Sequence, residues 1–278
     1  MDKVIVRVPA TSANLGPGFD CLGVALDLHN RVTVARGGAA TPDAMVAAAA
    51  DAFFAASGVP AFAFQWSIEG DIPRSRGLGS SVAVRLGILH GLNGLAGRPL
   101  DANSLYLLCA KLEGHPDNAA PAAFGGFAAA TPDGSYFRCD IGPELRFVVM
   151  IPAEEVDTDS SRVQLPDSVP HRDAIFNVAR ASMITAAFAS RRYELLRGSM
   201  ADRLHQPYRE ARLPHLSQAI AAGVKAGALD GYLSGSGSAV ACITLDRPEA
   251  VAAAMQAVLP SARVLALGAD NRGTVVEG

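Results

Sequence analysis

The chain has 278 residues, is 50% hydrophobic and 18% charged, and carries a formal net charge of -3 at pH 7. That is enough chain for one broad domain or for two lobes of roughly 100 to 150 residues. Its slight acidity argues against a nucleic-acid binder, which needs a basic face to neutralise phosphates, but leaves room for a small anionic ligand held by a local cluster of donors.

In MDKVIVRVPA, Val4, Val6 and Val8 alternate onto one face, which predicts an opening strand and not the apolar region of a signal peptide. The turn-rich segment TSANLGPGFD follows at 11–20, and extended chain returns from Leu22 to Val34. Asp43 can cap a helix reaching about Ser57, closed by Gly58 and Pro60. The alanine-rich run from Ala44 to Phe64 is interrupted too often to supply the ~20 apolar residues of a membrane span. Phe62, Phe64, Trp66 and Ile68 alternate as a strand that delivers the chain into GDIPRSRGLGSSVAV at 70–84.

Beyond that loop, Val82, Leu86, Leu89 and Asn93 share a helical face, and Asp101 or Asn103 can start another helix through about Glu113. Strands are predicted at 125–131, 135–140 and 146–152, then helices near 173–190, 192–204 and 213–226. A glycine loop at 234–238, a strand at 239–245, a helix at 248–258 and a strand at 262–267 complete the chain. Strands and helices in irregular alternation favour an α+β fold over a doubly wound sheet. Pro143 and Pro152 bracket the expected boundary between lobes at 1–145 and 146–278. Cys21, Cys109, Cys139 and Cys242 are far apart with no C-x-x-C, which suits reduced core thiols of a cytosolic protein better than a disulfide frame or a zinc site.

The glycines of R-G-L-G-S-S permit backbone conformations closed to other residues and let a ligand approach the main chain. The serines stand where a helix begins, so unpaired N–H groups and the positive end of the helix dipole converge on one place, which suits phosphate. The lysine-bearing pattern of the common P-loop ATPases is absent. A second motif, LEGHPDNAAPAAFGGF at 112–127, gathers Glu113, His115, Asp117 and Asn118. A carboxylate beside a triphosphate can hold Mg²⁺, and Glu113 is the candidate.

Together with SANLGPGFDCLGVAL at 12–26, HQPYREARLP and LSGSGSA, these segments resemble the ordered motifs of the GHMP family of small-molecule kinases, and within it the members that phosphorylate homoserine. The resemblance runs over nearly the whole chain. It implies a ribosomal-S5-like N-terminal lobe packed on a ferredoxin-like C-terminal lobe. It also implies transfer of the ATP γ-phosphate to the hydroxyl of L-homoserine in threonine biosynthesis, by a cytoplasmic homodimer. Another small alcohol as substrate, or a catalytically silent ligand sensor on the same fold, are the alternatives.

Carried over by position, the resemblance assigns the ATP phosphates to Pro73, Arg74, Ser75, Arg76, Gly77, Leu78, Gly79, Ser80 and Ser81, and Mg²⁺ to Ser81 and Glu113. It assigns the amino-acid pocket to Asn14, Asp20, His115, Asp117, Asn118, Thr158, Arg162 and Arg209. A zwitterion needs an anion for its ammonium, a role that fits Asp20, and a guanidinium fork for its carboxylate, which fits Arg162 and Arg209. Asn118 is expected to orient the reacting hydroxyl, supported by Asp117 and His115.

Three positions depart from the family pattern. An adenine-contacting asparagine is replaced in the stretch Asp43-Ala44-Met45-Val46, which predicts a weaker preference for ATP over GTP. Arg85 stands one turn above Ser81 where a small or apolar residue is usual, and is expected to be solvated or ion-paired. Ser238 replaces a proline and is expected to loosen the late glycine loop.

Overall fold

Two long strands carry the first lobe in the structure, a computed structural model that describes residues 2–38, 43–156 and 162–277. β1 (Lys3–Ala13) buries Val4, Val6 and Val8, as its alternation predicts, and pairs antiparallel with β2 (Leu22–Arg36). The register shifts between Pro9 and Ala10, where proline has no amide to give the ladder. β3 (Phe64–Gly70) and β4 (Phe127–Ala130) both pair with β2, and β5 (Tyr136–Cys139) pairs with β4.

α2 (Ser80–Leu95) lies directly on this sheet. Gly87 and Gly91 ride over Val32 and Val34, where an added Cβ would come within 2.4 and 2.3 Å of a valine methyl. That close approach fixes where the start of α2 points. α1 (Ala44–Ser57) and α3 (Ala102–Glu113) pack against α2, and α4 (Ala119–Phe124) contacts β1 and β2.

The second sheet is antiparallel, in the order β7 (Asp230–Leu233), β8 (Val240–Thr244), β6 (Arg146–Ile151), β9 (Arg263–Leu267). α5 (His171–Ser190) and the short α6 (Gln206–Arg209) precede α7 (Leu216–Lys225), which packs with α8 (Pro248–Val258) on this sheet. The run β6, α7, β7, β8, α8, β9 is the split β-α-β-β-α-β arrangement expected of the second lobe. The last strand, β10 (Val275–Glu277), returns to pair with β1. The passage from β5 to β6 falls near residue 145, and β10 carries the chain back into the first sheet.

Local chemistry explains where the elements differ from expectation. The helix predicted at 192–204 is only a 3-10 turn at Tyr193–Leu196. Gly198 turns left-handed (φ 70), and the Asp202 carboxylate accepts from the amides of Leu204, His205 and Gln206, so it caps the next element and ends the first. α4 tolerates Pro121 because the first-turn amides of a helix have no internal partner. Ser238 does not loosen its loop: it is fully buried, and its hydroxyl donates to the Glu154 carbonyl at 2.6 Å. All four cysteines are free thiols, and among the described residues no helix is long and apolar enough to cross a membrane.

Candidate active site

Three turn-rich segments meet between the lobes because their glycines let backbones touch. At Gly77 (φ 74) a Cβ would lie 2.0 Å from the Ser234 carbonyl oxygen, and the Ser234 hydroxyl donates to the Gly77 carbonyl at 2.7 Å. The Ser12 hydroxyl joins the same knot, 2.7 Å from Ser234 Oγ and 2.9 Å from Tyr232 Oη. Asn14 Nδ2 donates to the Gly235 carbonyl at 3.0 Å. Around this knot opens a cavity of about 560 Å³.

One end of the cavity holds an open helix start. Gly79 (φ 69) precedes α2 without any side-chain cap, so the first amides of a 16-residue helix carry no side-chain acceptor. Arg74, Ser75, Gly77, Gly79, Ser80 and Ser81 line this end. Glu113, the last residue of α3, is held there with its side chain 8% exposed. Ser81 Oγ donates to Glu113 Oε2 at 2.9 Å, and Arg85 Nη1 donates to Glu113 Oε1. At the outer wall stand Asp43, Met45 and Trp66. One Asp43 oxygen is spent capping α1, accepting from Met45 N and Val46 N at 2.9 and 3.1 Å. The indole Nε1 of Trp66 is buried without a partner.

The other end carries paired charges. Arg162 grips Asp20 in a two-point fork, 2.6 and 2.9 Å long. Arg209, 3% exposed, donates to the Gly235 carbonyl at 3.1 Å, while its Nε is buried without a partner. Burial, followed by the neighbouring Arg162, lowers the Arg209 pKa to about 10. The Phe19 ring lies 5.4 Å from each guanidinium and stacks on His205, whose Nε2 meets the Gly16 carbonyl. Asp117, 2% exposed, takes His115 Nδ1 and the Asn118 amide on the same oxygen, at 2.7 and 2.9 Å. Burial opposes the charge of His115, but the hydrogen bond and field of Asp117 outweigh it and raise its pKa. The Cys21 thiol nearby is pushed up to about 11 by burial, then by Asp117 and Asp20.

Family models for the GHMP kinases N terminal domain and the GHMP kinases C terminal match residues 44–126 and 184–261. A homoserine kinase from Moorella thermoacetica is 38% identical over 98% of this chain and 99% of its own length. One from Synechococcus is 39% identical over 99% of this chain and 98% of its own. The chain belongs to the homoserine kinases of the GHMP family. The crystal structure of a homoserine kinase from Cytophaga hutchinsonii superposes with a TM-score of 0.91 at 24% identity, over 100% of this chain and 98% of that one, and so shares the GHMP kinase fold.

In this GHMP kinase most of the expected site residues line one cavity: Asn14, Asp20, His115, Asp117, Asn118, Arg162 and Arg209 at the charged end, with Glu113 and most of the glycine loop at the other. Three of the loop residues do not. Leu78 is a core residue at 1% exposure, and Pro73 is outside the cavity wall. The Arg76 guanidinium turns away to the carbonyls of Pro152 and Ala153 and to Glu155, so it ties the loop to the second lobe. Thr158 lies outside the described residues. Thr11 escaped the sequence reasoning: it is fully buried, and its hydroxyl donates to Asn118 Oδ1 at 2.6 Å. Its place beside Asn14 in TSAN was visible, but only the fold brings it to Asn118. Arg85 is ion-paired, as expected, and its partner is the metal candidate itself.

Proposed function

We propose that this GHMP kinase transfers the γ-phosphoryl group of ATP to the hydroxyl of L-homoserine, giving O-phospho-L-homoserine and ADP in the cytoplasmic route to threonine. The observation that carries the reading is one cavity with an uncapped helix start and a buried carboxylate at one end, and Asp20, Arg162 and Arg209 at the other. Those last three groups match a zwitterion. The substrate ammonium would take Asp20, and its carboxylate would take the guanidinium groups, so substrate replaces the Asp20–Arg162 pairing with two pairings of its own.

Phosphoryl transfer is mainly positioning and charge neutralisation. The amides of Ser80 and Ser81 and the dipole of α2 would hold the phosphates. Ser81 Oγ and Glu113 Oε2 are 2.9 Å apart, which fits neighbouring ligands of an octahedral Mg²⁺ with bonds of about 2.1 Å. The ion would supply neutralisation of phosphate charge there. Because Thr11 donates to Asn118 Oδ1 and Nδ2 gives one hydrogen to Asp117 Oδ1 at 3.4 Å, the second Nδ2 hydrogen is the one left to meet the acceptor hydroxyl, which Asn118 orients without taking its proton. As the hydroxyl oxygen bonds to the γ-phosphorus, the bond to the β,γ-bridging oxygen breaks and ADP leaves with that electron pair. The hydroxyl proton passes to the transferred phosphoryl oxygens or to water.

The test is ADP release by purified protein with ATP, Mg²⁺ and a panel of homoserine, serine, threonine and mevalonate. Turnover with homoserine is expected; turnover confined to another alcohol, or binding of homoserine without turnover, would overturn the reading. The family likeness also supports a homodimer, and light scattering would reveal a monomer if that is wrong.

A further inference from the structure

Arg85 is badly placed for a charged side chain. One turn beyond Ser81, in the second turn of α2, it brings a mostly buried positive charge to the cavity wall, which costs desolvation. Glu113 offsets that cost, and in doing so its two oxygens are divided: Oε2 receives the Ser81 hydroxyl and Oε1 receives Arg85 Nη1. The pair is mostly buried, with side-chain exposures of 18% for Arg85 and 8% for Glu113. Arg85 Nε is buried without a partner, so Glu113 is what fixes the guanidinium at the cavity wall.

This division matters for a cation. Mg²⁺ binds single carboxylate oxygens in a tight octahedron, whereas Ca²⁺ prefers more ligands and commonly takes a carboxylate through both oxygens. With Oε1 occupied, Glu113 offers one oxygen. We propose that Arg85 sets the cation selectivity of the phosphate site, holding Glu113 to one-oxygen coordination and partly cancelling its charge. The site therefore admits Mg²⁺ together with nucleotide phosphates and discriminates against Ca²⁺. Arg85 is a positioning residue, acting through Glu113. The inference rests on the reading above, in which Ser81 and Glu113 hold the cation.

The experiment is calorimetric titration of Mg²⁺ and of Ca²⁺ into the full-length protein saturated with the β,γ-imido analogue of ATP, for wild type, Arg85→Met, Arg85→Lys and Glu113→Gln. Arg85→Met keeps the apolar stem and removes the charge. It should bind Mg²⁺ about tenfold tighter, since a unit charge within a few ångströms of a cation is removed. Ca²⁺ should gain several-fold more, so the Mg²⁺ preference shrinks, because both Glu113 oxygens become available. Arg85→Lys should keep most of the wild-type preference.

An unchanged Mg²⁺ to Ca²⁺ ratio in an Arg85→Met protein that melts like wild type overturns the inference. So does a loss of more than about tenfold in metal-free analogue binding, which would make Arg85 a phosphate ligand. Should Arg85→Met not fold, wild type decides alone: a Mg²⁺ preference no greater than that of the analogue in free solution contradicts the proposal. Glu113→Gln separates the two levels. If it leaves both cation affinities unchanged, the metal site itself is wrong and the inference falls with it; if it abolishes Mg²⁺ binding while Arg85→Met leaves the ratio unchanged, only the role of Arg85 is wrong.

Discussion

Replacing Thr11 with valine removes one hydroxyl and almost no volume, which isolates what that hydroxyl does. Thr11 is fully buried and its donation to Asn118 Oδ1, at 2.6 Å, fixes which way the amide is turned, and so which end would face the hydroxyl in the proposed reaction. In Thr11→Val a methyl group meets the amide oxygen, which loses its side-chain donor among the described residues; because Asn118 is only part-buried at the cavity wall, the cost of an unpaired buried acceptor, about 1–3 kcal/mol, is an upper bound. For a chain of this size that corresponds to a fall in Tm of roughly 2–8 °C. The amide is then held only by the long 3.4 Å donation from its Nδ2 to Asp117 Oδ1, and misplacing a positioning group by an ångström costs on the order of a hundredfold, so kcat should fall by about 10- to 100-fold. KM for ATP should change little, because the Thr11 amide still donates to the Leu78 carbonyl and holds the loop. Thr11→Ser, which retains the hydroxyl, should recover most of kcat. The assay is steady-state ADP release for both variants with thermal melts alongside. Wild-type kcat in a folded Thr11→Val protein, or no recovery in Thr11→Ser, would refute the role given to Asn118.

Two further outcomes follow from the same geometry. The pKa of His90 on α2 is lowered to about 4 by burial, against an ordinary 6.5. Below about pH 6.5 the unfolded chain therefore takes up a proton that the native state refuses, so stability declines from there down to about pH 4 and then levels. The ring keeps partial exposure, which makes about 3 kcal/mol an upper bound on that loss. Urea unfolding of His90→Gln at pH 7 and pH 4.5 should show a shallower acid decline than wild type, and an identical decline would contradict the assignment. At the outer wall, Asp43 offers acceptors where the family pattern has an amide that can also donate, so kcat/KM for ATP should exceed that for GTP by less than about tenfold, and Asp43→Asn should widen the gap. A large wild-type preference for ATP would contradict this.

Motifs whose chemistry is local were readable before the fold was seen. The glycine loop before α2 declared itself because positive φ and an open helix start depend on residue types a few positions apart. The same holds for Val4, Val6 and Val8, whose period of two leaves one solution once a face must be buried. Arg162, Arg209 and Asp20 were legible only through the family likeness, since a lone arginine far along a chain carries no sign of what it will face. What stayed hidden depends on contacts between distant segments: Thr11 on Asn118, Arg76 on the carbonyls at 152 and 153, and Ser238 on Glu154. β10 escaped because three residues show no period, and the helix expected at 192–204 failed because the Asp202 cap competes with it.

The proposed zwitterion pocket is the decisive claim, and one comparison of rates tests it most directly. With ATP and Mg²⁺ held constant, kcat/KM is measured for L-homoserine and for 3-aminopropan-1-ol, which keeps the ammonium and the hydroxyl but lacks the carboxylate. If Arg162 and the buried Arg209 read that carboxylate, homoserine should be favoured by at least about a thousandfold, because the shorter substrate leaves the desolvated Arg209 guanidinium without its anion. Comparable kcat/KM for the two alcohols would mean that Arg162 and Arg209 do not read the substrate.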